Sequence, residues 1–236
     1  MGEPTQRAKV LKARDLCHSV RELVLSPLEW VLSFKPGQWV SLKLPVGEHP
    51  PLTRAYSMAE PESPSGQLVL AFDRVPEGLG SGYLFSLNAG DEVIMSGPYG
   101  NFMAPQPLAQ DLVFIARFTG IVPIRCILKQ LFTARPSGNV TLIYGAPSRA
   151  ELIYHDEFTT LAAGHDSFRY VPTVLDESRE ETGEGRSELE ILKSLWEGRK
   201  NFLPMVSGTK AFVRPLKTYF TELGFERKEA RFETYD

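Results

Sequence analysis

Cysteine is nearly absent: Cys17 and Cys126 are the only two in 236 residues. Two thiols cannot build a disulfide framework, and they are too few to ligate an iron–sulfur cluster. Histidine is scarce as well. His18, His49, His155 and His165 show no zinc-like spacing, so no protein-ligated metal is expected. No apolar run approaches the ~20 residues of a membrane span. The opening Met-Gly-Glu-Pro-Thr-Gln-Arg lacks the apolar segment of a secretory signal. Charge of one sign is also missing. With 26 Lys and Arg against 29 Asp and Glu, the formal net charge is −3, which argues against a general nucleic-acid binder. These absences point to a soluble cytoplasmic protein. Its length suffices for one large domain or two small ones.

The first half reads as short strands rich in β-branched and aromatic residues. They cover Ala8 to Leu16, Ser19 to Leu25, Trp39 to Leu44, Arg54 to Ala59, Gln67 to Phe72 and Glu92 to Met95. Turn residues such as Pro36-Gly37 and Ala89-Gly-Asp91 separate them. Six such strands predict an antiparallel sheet closed into a small barrel. One short helix is expected over Ser81 to Leu87, with Ser81 as its N-cap.

Beyond the proline-rich stretch around residue 105 the pattern changes. Asp111 to Ala116 is a continuous apolar run, the mark of a strand buried on both faces. A helix follows over residues 121–132. Further strands are expected at Val140–Tyr144, Phe168–Leu175 and Phe202–Val206, with helices at Ala150–Ala162, Glu188–Trp196 and Thr209–Leu223. Arg227 to Thr234 is a last strand or an extended tail. This alternation predicts a Rossmann-like parallel α/β domain. The fold class is therefore two-domain β plus α/β, divided into residues 1–107 and 108–236. The acidic run Asp176 to Glu190 reads as a solvated loop.

Candidate chemistry gathers on Arg54-Ala-Tyr-Ser57. On an alternating strand Arg54 and Tyr56 share a face, and Ser57 turns away. A cation beside a flat ring suits a planar ligand with a phosphate tail; an ordinary strand with a surface arginine is the alternative. Three glycine-bearing segments bear on phosphate binding: Gly78-Leu-Gly-Ser-Gly82, Gly97-Pro-Tyr-Gly100, and Thr119-Gly120 opening a helix directly after the buried strand.

In this order the segments resemble the ferredoxin–NADP reductase superfamily. Phe34-Lys-Pro-Gly-Gln-Trp-Val40, Leu142-Ile-Tyr-Gly145, Val206-Ser-Gly208 and Glu233-Thr-Tyr-Asp236 fit the same pattern. The resemblance implies a flavin-binding barrel and a nicotinamide-binding domain. Arg54, with Ala55 beside it, would bind the pyrophosphate of FAD. Tyr56 would stack on the ring and Ser57 would bond its reactive edge. Gly80, Ser81 and Gly82 would cradle the pyrophosphate. Thr119 and Gly120 would form the nicotinamide loop, with Ser207 beside it and Tyr235 as a terminal aromatic covering the flavin. Ser57, Ser207 and Tyr235 are thus the implied catalytic positions.

Ser178 and Arg179 resemble a pair that grips a 2′-phosphate, so NADPH is preferred over NADH. The implied partner is a ferredoxin, a flavodoxin, or an oxygenase or hydrogenase component. The chain departs from the pattern at Arg117-Phe118, where relatives carry two glycines, and at Ser207, where a cysteine is usual. Phenylalanine adopts positive φ only with strain, and Arg117 either reaches a phosphate or fills the site. An alternative is therefore an FAD-binding electron-transfer or regulatory subunit with impaired nicotinamide binding.

Overall fold

A computed structural model of the chain describes residues 4–47, 50–175 and 187–235. It divides into two compact units, Met1–Met103 with Arg125–Thr133, and Ala104–Ile124 with Ala134–Asp236.

The first unit holds strands Thr5–Cys17 (β1), Val20–Pro27 (β2), Trp39–Leu44 (β3), Leu52–Ser57 (β4), Leu68–Asp73 (β5) and Glu92–Tyr99 (β6), and the helix Leu79–Ser86 (α1). Their order in the sheet is β4-β3-β6-β1-β2-β5, with antiparallel pairing throughout. The two end strands approach each other at a single bridge, Met58 to Leu70. Period-two patterning drives the closure. On β1, Gln6, Ala8 and Val10 turn inward while Thr5, Arg7 and Lys9 face water. Inside lie Leu23, Leu25, Leu42, Leu44, Met58, Leu70 and Leu84, all fully buried. Each contributes about 1.5–3 kcal/mol by leaving water. Cys126, from the helix Ile121–Thr133 (α2), joins this core, and its burial pushes the thiol up to about 12.

Strand β4 lies at one end of the sheet. Among the described residues it is laddered only to β3, from Leu52 opposite Leu44 to Ser57 opposite Trp39.

The second unit holds strands Asp111–Arg117 (β7), Val140–Ala146 (β8), Phe168–Val174 (β9), Phe202–Thr209 (β10) and Arg231–Tyr235 (β11), all parallel in the order β11-β10-β7-β8-β9. Every residue of β8 is buried, as expected for a strand covered on both faces. The helices His155–Gly164 (α3), Glu188–Trp196 (α4) and Lys210–Glu222 (α5) follow β8, β9 and β10. A capping box starts α4, with the Glu190 amide donating to Ser187 Oγ at 3.3 Å and the Ser187 amide to Glu190 Oε2 at 2.8 Å. Ile191, Leu192, Phe212, Val213, Leu216 and Phe220 pack both helices onto Val113, Ile115, Ile143 and Val206.

Two local expectations are corrected. Ser81 does not cap α1: the helix begins at Leu79 with Gly78 as N-cap. Ser81 Oγ instead accepts from the Val75 amide at 3.1 Å and reaches the Gly78 carbonyl at 3.2 Å, pinning the preceding turn. The helix expected over Ala150–Ala162 is broken. A single 3₁₀ turn spans Arg149–Glu151, and α3 starts only after Tyr154, whose φ of 61° lies in the left-handed region. No helix among the described residues is long and apolar enough to cross a membrane.

Candidate functional site

Each unit carries a group of candidate residues gathered at the ends of its elements. In the first unit, Arg54, Ala55, Tyr56 and Ser57 follow one another on β4, and Gly80, Ser81 and Gly82 form the start of α1. Leu52 and Tyr56 pack against the core, whereas Arg54 and Ala55 are exposed. The two groups meet. A Cβ placed on Gly80 would lie 3.7 Å from Arg54 Cγ, and 3.0 and 3.1 Å from methyls of Leu52 and Leu44. Among the described residues, Arg54 bonds only its neighbouring carbonyl, Thr53 O, at 2.9 Å. The α1 N-cap offers no side-chain acceptor to the first-turn amides. A Cβ on Gly82 would touch nothing within 4 Å. The Gly82 amide is taken by the Gly78 carbonyl at 2.8 Å, so of the three expected amides only those of Gly80 and Ser81 are left without an acceptor among the described residues. With a cation and an open glycine face they suit an anion such as a pyrophosphate.

Tyr56, two residues beyond Arg54 on β4, has its ring 5.3 Å from that of Phe72. Burial pushes its hydroxyl up to about 12, so it stays neutral and can donate. Phe72 in turn contacts Phe85, which Arg21 and Arg74 flank at 5.2 and 5.5 Å. Arg21 also donates to the carbonyls of Phe85 and Leu87 at the carboxyl end of α1, completing the helix dipole there.

In the second unit the site residues collect at the carboxyl ends of β7 and β10, the edge where open parallel sheets hold ligands. Thr119 Oγ1 donates to the Tyr235 hydroxyl at 3.1 Å, and Tyr235 donates to the Arg117 carbonyl at 3.4 Å. Gly120 is pressed onto β10: a Cβ there would lie 2.2 Å from Ser207 O. Ser207 is fully buried, and its Oγ has no hydrogen-bond partner among the described residues. An unpartnered buried hydroxyl in such a place is suited to a ligand with both donor and acceptor groups. Phe118, the residue between these anchors, has φ 51°. Ser178 and Arg179 lie outside the described residues.

Arg117 has a definite partner. Its Nε donates to Glu188 Oε1 at 2.9 Å and its Nη2 to Glu188 Oε2, and its guanidinium lies 4.5 Å from the centre of the Phe212 ring. Glu188 is completely buried. It occupies the space above Gly145, where a Cβ would meet Glu188 Oε1 at 1.9 Å.

Sequence reasoning missed Glu188 because it lies within the acidic run Asp176 to Glu190, which reads as solvated. It also missed Glu233, which pairs in register with Ser207 and whose carboxyl burial pushes up to about 7. The parallel alternation of β11 offered that signal, since residues opposite one another share a face.

Residues 7–103 match the oxidoreductase FAD-binding domain family and residues 114–217 the oxidoreductase NAD-binding domain family. Ferredoxin–NADP reductase B of Sorangium cellulosum is 35% identical over 176 residues, covering 73% of this chain and 70% of that protein. The phenol 2-monooxygenase reductase component DmpP of Pseudomonas sp. is 34% identical over 177 residues, covering 74% of this chain and 49% of its own length. The chain thus spans about half the length of such oxygenase reductase components. The crystal structure of the Amycolatopsis cytochrome P450 reductase GcoB superposes with a TM-score of 0.85 at 28% identity, over 99% of this chain and 71% of that one. With an antiparallel flavin-type sheet, a parallel nucleotide-type sheet and these matches, the chain belongs to the ferredoxin–NADP reductase-like superfamily of flavoprotein oxidoreductases.

Proposed function

We propose that this chain is an NAD(P)H-dependent flavoprotein reductase, with residues 1–107 binding FAD and residues 108–236 binding the nicotinamide coenzyme. FAD held there would supply the chemistry, taking up a hydride equivalent from the coenzyme and releasing single electrons to a protein acceptor. The observation that carries the reading is the placement of Arg54 along Gly80 at the open start of α1. There the arginine and the first-turn amides of Gly80 and Ser81 hold the pyrophosphate, while Gly82, whose amide donates to the Gly78 carbonyl at 2.8 Å, leaves an open Cα face beside it. Tyr56, neutral at all working pH values, would stack on the ring system, and Ser57 would bond its polar edge. The unpartnered Ser207 hydroxyl receives the carboxamide of the nicotinamide, and Thr119 and Gly120 shape the loop around it. The protein's contribution is positioning and exclusion of water.

The acceptor is a one-electron protein such as a ferredoxin, a flavodoxin or an oxygenase component; the relatives include a ferredoxin–NADP reductase and a phenol 2-monooxygenase reductase component. NADPH is the preferred coenzyme on the strength of Ser178 and Arg179, a choice that R179A tests by losing its NADPH preference while keeping NADH. Anaerobic mixing with each coenzyme tests the whole reading: the flavin band bleaches. A yellow protein that stays oxidised under both sinks the reductase.

The positive φ of Phe118 favours a second reading, an FAD-binding electron-transfer subunit that has lost nicotinamide turnover. On that reading F118G recovers bleaching that the parent lacks.

A further inference from the structure

Building on the reductase reading, we infer that the Arg117–Glu188 ion pair positions the nicotinamide loop. Arg117 is the last residue of β7 and stands opposite Gly145 of β8 in the sheet. Its guanidinium is gripped by Glu188, the first residue of α4, and lies over Phe212 of α5. One residue on, Phe118 enters the left-handed region, and the next, Thr119, is tied to Tyr235 on β11. A strained conformation of this kind persists only where the surroundings over-determine it. Here the backbone is held on one side by Glu188 and on the other by Tyr235, with Gly120 pressed onto Ser207.

The pair is also built into the sheet. Glu188 has no exposure, and only a glycine at 145 leaves room for its carboxylate. The same carboxylate lies at the positive end of α4, so one charge serves two elements. A buried pair of this type adds little net stability over an apolar pair of equal volume, but losing one partner strands a charge. What the ion pair supplies that an apolar pair does not is direction: two parallel N–H···O contacts fix where β7 ends and the loop begins.

This difference defines the test. R117M/E188L removes both charges and keeps the packing, so its melting temperature stays within about 4 °C of the parent's. It retains FAD. Anaerobic stopped-flow mixing with NADPH or NADH then gives a limiting rate of flavin bleaching lower by about 10- to 100-fold. Amide hydrogen exchange, read without coenzyme, is at least about tenfold faster at residues 118–120. R117K, which cannot make the bidentate contact, falls between parent and double variant. E188Q, which keeps the shape and one acceptor, does likewise and serves if the double variant does not fold.

A well-folded variant with parental bleaching rate and parental exchange overturns the inference. A parent that stays oxidised with both coenzymes overturns the reductase reading and the kinetic half of this one, while exchange at residues 118–120 still decides whether the pair anchors the loop.

Discussion

Arg54 runs along Gly80, its Cγ 3.7 Å from the position a Cβ would take on that glycine. The contact joins the end strand of one sheet to the first turn of α1, and no carboxylate among the described residues competes for the guanidinium. R54A is expected to leave the flavin-free protein within about 0.5 kcal/mol of the parent in urea unfolding, as an exposed substitution does. FAD affinity, followed by quenching of flavin fluorescence, falls about 10- to 100-fold through loss of charge-assisted hydrogen bonds. Unchanged affinity would remove Arg54 from the site.

Two glycines give opposite outcomes. Gly82 lies in α1 with nothing within 4 Å of the position a methyl would take there. G82A therefore stabilises the flavin-free protein by roughly 0.5–1 kcal/mol, and weakens FAD binding if the ligand covers that face. A methyl on Gly145 would meet the Glu188 carboxylate at 1.9 Å. G145A costs about 2–4 kcal/mol, because the methyl must drive a buried charge off its partner. Chemical denaturation of both variants measures the contrast.

Glu233 sets a pH dependence. Its carboxyl titrates at about 7 in the folded chain, raised by burial from an ordinary value of 4.5. Between those values the folded state binds more protons than the unfolded one, so this residue's contribution to stability falls as pH rises from about 4.5 to 7 and is then flat. E233Q removes the slope. The difference in unfolding free energy between parent and E233Q, followed across that range, should shift steadily toward the variant; a constant difference would show an unperturbed carboxyl.

The two thiols separate by burial. Cys126 sits in the core with its thiol pushed up to about 12, whereas Cys17 is half-exposed beside Ser19 Oγ at 3.5 Å. A chromogenic disulfide reagent at pH 8 reacts with one thiol in the native protein and with two after unfolding. Two fast thiols in the native state would contradict the burial of α2 against the barrel core.

Long, strongly patterned elements could be read from residues alone. The apolar run of β7 announced a strand covered on both faces, and the alternation with helices announced β8 and β10 as strands. Arg54-Ala-Tyr-Ser57 stood out because residue types of distinct chemistry stand together, and the strand that carries them, β4, was legible from its alternation. What escaped depends on distance or on a local backbone choice. Glu188 meets Arg117 across 71 positions, and nothing in an acidic run says which carboxylate turns inward. The break at Tyr154 escaped because the residues around it keep helical spacing while the left-handed φ is set by packing. Ser81 has good N-cap chemistry, but its hydroxyl is engaged by the turn at Val75, so the helix starts two residues earlier.

Among the described residues, strand β4 has a neighbour on one flank only, apart from the bridge at Met58. Its other flank is a row of backbone groups without ladder partners, the kind of template onto which a strand from another molecule can add. Arg54 blunts it with a charge, and on the flavoprotein reading a cofactor held by Arg54 and Tyr56 would cover it further. Flavin would then be a guard against self-association as well as a redox group, and preparations stripped of it would aggregate through this edge first.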